Sequence, residues 1–133
     1  MELTNIKPAL MAFLICNHIQ SDTPQSNKSL IGLFDSINTP SFPCTGNFNI
    51  FIKLLGGLGE QKIRLMVQGP STKAVMDPFE ITFTMPSISK FLDIVLEMNN
   101  KIVFHESGIH KVRLYQGDNL IAEHPLIVKK TNG

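Results

Sequence analysis

The chain has 133 residues, the length of one domain of common size, and a domain of that size buries roughly two thirds of the surface its unfolded chain exposes. Its 43% hydrophobic and 17% charged residues exclude a disordered chain. Twelve basic against eleven acidic side chains, scattered singly for a formal net charge of +1, leave no basic stripe to follow a phosphate backbone, so no nucleic-acid partner is expected.

Residues 9–16, Ala-Leu-Met-Ala-Phe-Leu-Ile-Cys, form a continuous apolar run after Pro8 that stops at Asn17 and His18. A bilayer-spanning helix needs about 20 apolar residues and a half-buried strand alternates with polar ones, so the run predicts a central strand buried on both faces. Glu2 at the start and the polar pair after the run do not fit a secretory signal, which predicts a cytoplasmic protein without a membrane segment. The two cysteines, Cys16 and Cys44, are too few for a disulfide scaffold and are expected as free thiols.

Asp22, Pro24, Ser26 and Asn27 favour a turn that ends this first strand. Residues 28–37 predict a second strand, in which Gly32 suits a bulge or a close backbone approach. Pro40, Pro43 and Gly46 then forbid regular pairing over residues 38–46 and predict a loop crossing between two sheets. From Phe48 the pattern has period two, with Phe48, Ile50, Ile52 and Leu54 on one face and Asn47, Asn49, Phe51 and Lys53 on the other. Gly56-Gly57-Leu58-Gly59 reads as a hairpin loop leading to a partner strand with Ile63, Leu65 and Val67 inward.

Residues 73–76 offer the start of a further strand, and Pro78 before the alternating Ile81, Phe83 and Met85 predicts an edge position or a bulge. Residues 86–90 could make one helical turn, after which Leu92, Ile94, Leu96 and Met98 alternate with Asp93, Val95 and Glu97 as a strand. Asn99-Asn100 and Glu106-Ser107-Gly108 are turns, and residues 109–115 and 120–129 flank Gln116-Gly117-Asp118-Asn119 as a closing hairpin. Short strands between regularly spaced turns, without a long helix or a repeat, predict an all-β fold. The expectation is one antiparallel immunoglobulin-like β-sandwich of about 7–9 strands spanning residues 1–133.

Two stretches, residues 10–18 with 28–43 and residues 104–128, resemble a bacterial domain family of unknown function. The first resembles its opening signature: an apolar strand ending in a polar pair, then Lys28-Ser29-Leu30-Ile31-Gly32-Leu33-Phe34-Asp35 and Phe42-Pro43. The second, Phe104-x-x-x-Gly108 and a closing hairpin, carries His105 and Ile109 where the family usually has Pro and Tyr, so no tyrosine-corner role transfers. The resemblance implies a sandwich and brings no activity with it.

Chemistry-bearing residues are sparse. His18, His105, His110 and His124 lack the spacing of a zinc site and read as surface or capping residues, and Cys44 beside Pro43 reads as an inert thiol. The glycine cluster at 56–59 lacks the Gly-Lys-Ser/Thr ending of a phosphate loop, and Asp22, Asp35, Asp77 and Asp118 sit at expected strand ends. No catalytic residue, metal ligand or cofactor is predicted. The expectation is a non-catalytic interaction or scaffolding module; the alternative is a small ligand-binding or metal-dependent enzyme with a site made by the sandwich-end loops. Phe51, Leu55 and Met66, with Val95, fall on the notionally polar faces of their strands. In the expected hairpin Phe51, Leu55 and Met66 share one side, which predicts a homo-oligomer through that face or a further, unidentified protein partner.

Overall fold

The structure, a computed structural model, describes residues 5–22, 27–71 and 74–131. Its strands are β1 (Ala9–Asp22), β2 (Asn27–Leu33), β3 (Ser36–Thr39), β4 (Cys44–Thr45), β5 (Asn49–Leu55), β6 (Gly59–Gln68), β7 (Phe79–Met85), β8 (Phe91–Glu97), β9 (Val103–Phe104), β10 (Gly108–Gln116) and β11 (Asn119–Lys130). They form a four-stranded sheet in the order β2-β1-β5-β8, a five-stranded sheet in the order β3-β11-β10-β6-β7, and the small pair β4-β9. The protein is an all-β immunoglobulin-like sandwich.

Period two explains which residues meet in the middle. Ile50, Ile52 and Leu54 of β5 face Ile63, Leu65 and Val67 of β6, with Val112 and Leu114 of β10 and Leu126 and Val128 of β11, and all are 1% exposed or less. Phe48 and Phe104 are fully buried in the same cluster, and the edge of the Phe34 ring packs on Phe48 at 5.9 Å between centroids. The expected second strand, residues 28–37, is divided between the sheets, because Phe34 and Asp35 carry the chain from β2 in the four-stranded sheet to β3 in the five-stranded one; residues 38–39 pair in β3, and the chain returns through a cis Phe42–Pro43 bond inside the stretch expected to cross. The β3–β11 pair is parallel, a departure from the purely antiparallel expectation. Pro78 precedes an edge strand, β7, and Asn119 pairs with Gln116 around the positive-φ Gly117 of the closing hairpin. Residues 86–90 make a turn rather than a helical turn.

The first strand runs past its apolar stretch to Asp22, up to the expected turn, with His18 to Asp22 pairing with β2. Two expectations are corrected. The first strand is central but not buried on both faces along its length, since only Ile15 and Cys16 are fully buried and Met11 is 52% exposed. Second, β5 and β6 are not a hairpin. Residues 56–59 make the corner where the chain passes from one sheet to the other, and alternation reads the same whether two strands lie side by side or face to face. The corner is tight: a Cβ on Gly57 would lie 2.7 Å from Met85 Cγ, and Leu58 exchanges two backbone hydrogen bonds with Ile6, both 2.9 Å. Of the expected turn, residues 23–26 lie outside the described residues, as does residue 73; the strand expected to start at 73–76 is not formed over 74–76, where Ala74 makes a single bridge to Gln68.

Candidate interaction surface

The outward rows of the four-stranded sheet follow from its register. Leu14, Phe51 and Val95 lie opposite one another across β1, β5 and β8, as do Ala12, Lys53 and Asp93, and Ala9, Leu55 and Phe91. This face carries two exposed apolar side chains on β8, Phe91 at 55% and Val95 at 38%. Lys53 Nζ stands 5.0 Å over the Phe91 ring and 3.4 Å from Asp93 Oδ1, while Lys28 Nζ donates to Asp93 Oδ2 at 3.2 Å. No hydrogen bond forms at Oδ1, so the Lys53 contact there is purely ionic.

The Lys28–Asp93 contact reveals a feature of the first hairpin. Lys28 pairs with Ser21, which is nine residues beyond Ala12, and Ala12 is level with Asp93. In a straight strand nine residues span about 30 Å. An ion pair at 3.2 Å therefore requires the outer part of the β1–β2 hairpin to curl back over the outer face of its own sheet. Within β2, Gly32 has φ +72, and a Cβ there would run into the Asn17 side-chain amide. Along the arm Ile19, Lys28 and Leu30 are half-buried while His18, Gln20, Ser29 and Ile31 are exposed. Phe51, between Leu14 and Val95 on the outer face, is only 6% exposed.

The backbone of β8 completes the surface. Met98 N–H donates to Phe48 O at 2.9 Å and Gly56 N–H to Lys90 O at 3.1 Å, one bond at each end of the β5–β8 ladder. Antiparallel pairs alternate, so Leu92, Ile94 and Leu96 aim their N–H and C=O groups at β5. Phe91, Asp93, Val95 and Glu97 aim theirs away from the sheet, and among the described residues no backbone hydrogen bond reaches them. Next to this edge lies a groove of about 300 Å³ lined by Phe79, Val95, Glu97, Met98 and Lys101. Lys101 Nζ stands 5.3 Å over the Phe79 ring.

The residues singled out in the sequence are only partly brought together. Phe51 and Leu55 share the outer face of the four-stranded sheet, but Phe51 is covered and Leu55 is half-buried. Met66 is on the opposite side of the molecule, on the outer face of the five-stranded sheet beside Arg113 and Tyr115. That face is charged, with Arg113 Nε donating to Glu123 at 2.8 Å and Arg64 standing 5.0 Å over Tyr115. The patch expected from Phe51, Leu55 and Met66 is not formed, because β5 and β6 belong to different sheets. Val95 is exposed as read, whereas Phe91 and the curled hairpin were missed; the alternation of β8 identifies Phe91, and no local signal identifies the curl.

Elsewhere, His18 and His105 are exposed and His124 lines a groove of about 370 Å³ with Leu14, Leu33 and Asp35. His110 is fully buried with its ring edge-on to Phe104 at 5.0 Å. Cys16 is buried and Cys44 half-buried, and both are free thiols. Among the described residues no group of three or more His, Cys, Asp or Glu is placed to hold a metal ion, and no helix is long and apolar enough to cross a membrane. Buried amides missed in the sequence tie the molecule's start to its core: Gln61 Nε2 donates to Asn5 Oδ1 and Ile6 O at 3.2 and 3.0 Å, and Gln116 Nε2 donates to Gln61 Oε1 at 2.9 Å.

These features define an immunoglobulin-like sandwich with an open strand edge at β8. Residues 11–129 match a family model, and the chain belongs to that family, DUF6941, a family of unknown function. The fold is similar to that of an immunoglobulin-like protein from Pseudomonas aeruginosa, at 17% identity over 92% of this chain and 96% of that one, with a TM-score of 0.47. It is also similar to part of a β-glucosidase from Listeria innocua in complex with gluconolactone, at 10% identity and a TM-score of 0.50. That match covers 89% of this chain but 16% of the enzyme chain, and it shows the fold alone. Among curated proteins no sequence matches.

Proposed function

We propose that the chain is a non-catalytic interaction module of the bacterial cytoplasm that takes its partner by strand addition at β8. The observation that carries this reading is the open edge: four consecutive outward N–H and C=O pairs, from Phe91 to Glu97, flanked by the exposed side chains of Phe91, Val95 and Phe79. Main-chain groups of an added strand supply affinity in such a mode, and pockets for alternate side chains supply selectivity. The groove beside Phe79 offers one such pocket.

A small-ligand site in the groove between Leu14, Leu33, Asp35 and His124 is the second reading, favoured by the one imidazole and one carboxylate that line it. Native mass spectrometry of the protein purified from its own host separates the two. A retained protein subunit, this chain's own copy included, is the expected result. A stoichiometric small molecule or metal on a chain without any protein partner would overturn the interaction reading.

A further inference from the structure

We infer that the strand added at β8 is β8 of a second copy of this chain, paired antiparallel about a two-fold axis through Ile94. This rests on the strand-addition reading and names its partner. Sheet edges are ordinarily defended against such pairing. Of the four edges of the two larger sheets, β3 has only four residues, β7 is bracketed by Pro78 and Pro86, and β2 carries the positive-φ Gly32. β8 pairs in unbroken register over all seven residues, Phe-Leu-Asp-Ile-Val-Leu-Glu, and contains no Pro, Gly or Lys.

The charges choose the occupant and the register. A two-fold axis through Asp93 would set the two Asp93 carboxylates against each other, and one through Val95 would oppose Asp93 to Glu97. An axis through Ile94 opposes Asp93 to Val95 and Phe91 to Glu97, so no carboxylates face. It also places only outward-facing residues in hydrogen-bonded pairs, giving about eight main-chain hydrogen bonds between the copies. Glu97, exposed and on the outer face, then arrives opposite the Phe91 of the second copy, whose ring carries the Lys53 ammonium 5.0 Å away. The same axis brings each Phe91 ring to the Glu97 end of the other β8, beside the groove that Phe79 lines. One strand pair and these rings make an interface at the small end of specific contacts, below about 1,200 Å², so the dimer is weak and concentration-dependent.

Sedimentation velocity on the purified full chain, from about 10 to 500 micromolar, tests this. The wild type should shift from monomer toward dimer across that range. Val95→Pro should stay monomeric throughout, because it removes an outward N–H that makes no bond within the monomer. Glu97→Lys, which sets like charges against Lys53, should raise the dissociation constant at least tenfold with unchanged circular dichroism, and it decides the matter if the proline variant fails to fold. A monomeric wild type, or a dimer indifferent to Glu97→Lys, overturns the inference. In either case a different protein subunit retained on the native protein leaves the strand-addition reading standing, whereas a small molecule or metal without any subunit removes both.

Discussion

His110 shares the inner face of β10 with Val112 and Leu114, and the same alternation that buries them buries it. Its Nδ1 lies 3.2 Å from Gly108 O and must donate there, which leaves Nε2 as a buried acceptor without a partner. Protonation would add a buried N–H with nothing to receive it. Burial accordingly pushes the imidazole below its ordinary value of 6.5, against the opposing effects of the Gly108 bond and the Glu106 charge. The unfolded chain thus binds the proton more readily, so stability is full above pH 6.5 or so and falls as pH drops below it. Thermal unfolding of wild type and His110→Phe between about pH 7.5 and 5 should show the variant with the shallower decline; parallel curves would contradict the account. Burial likewise raises the Cys16 thiol above its ordinary 9.0, against a lowering bond from the His18 backbone. An alkylating probe should therefore modify half-buried Cys44 first and Cys16 only on unfolding, which peptide mapping reads directly. Phe51 shows where residue-level reading fails: its alternation is that of an outward residue, yet it lies between Leu14 and Val95 on the outer face and is only 6% exposed.

The β1–β2 arm and the corner at Gly56 are the two elements whose paths the sequence left open. The glycines at 56–59 announce a change of direction without saying whether the chain turns back beside β5 or crosses to the other sheet. Nothing in residues 17–22 announces that this end of β1 curls with β2 over the sheet, since its backbone pairing to β2 is that of any hairpin. Gly32 was legible as a special position, and its φ of +72 with Asn17 against the missing Cβ gives the reason. Gly32→Ala should cost about 1–2 kcal/mol or more in denaturant unfolding, from the left-handed backbone and the clash together. Lys28→Ala should cost about 1 kcal/mol or less, since its ion pair with Asp93 is partly exposed, yet it should loosen the arm. Hydrogen exchange would then rise over residues 17–22 and 27–31 and stay unchanged in β5 and β10. A uniform rise across the molecule would mean that the arm is part of the core rather than laid over it.

At the level of the sandwich, the core was readable because period two survives any arrangement of strands: Ile50, Ile52, Leu54, Ile63, Leu65 and Val67 all point inward as their alternation requires. Phe48→Ala should accordingly cost about 3–5 kcal/mol in denaturant unfolding, enough to unfold a marginal domain. A loss below about 1 kcal/mol would contradict its central place. Strand order was not readable, and the interaction surface depends on strand order, because only the sheet assignment shows that β8 is an edge and that Met66 faces away from Phe51. The open edge itself is most directly tested by amide exchange, residue by residue, along β8. In dilute protein the amides of Leu92, Ile94 and Leu96 should be protected while those of Phe91, Asp93, Val95 and Glu97 exchange freely, and these four should slow as the concentration rises. Equal protection of all seven amides in the dilute protein would mean that β8 is already covered and would contradict the account.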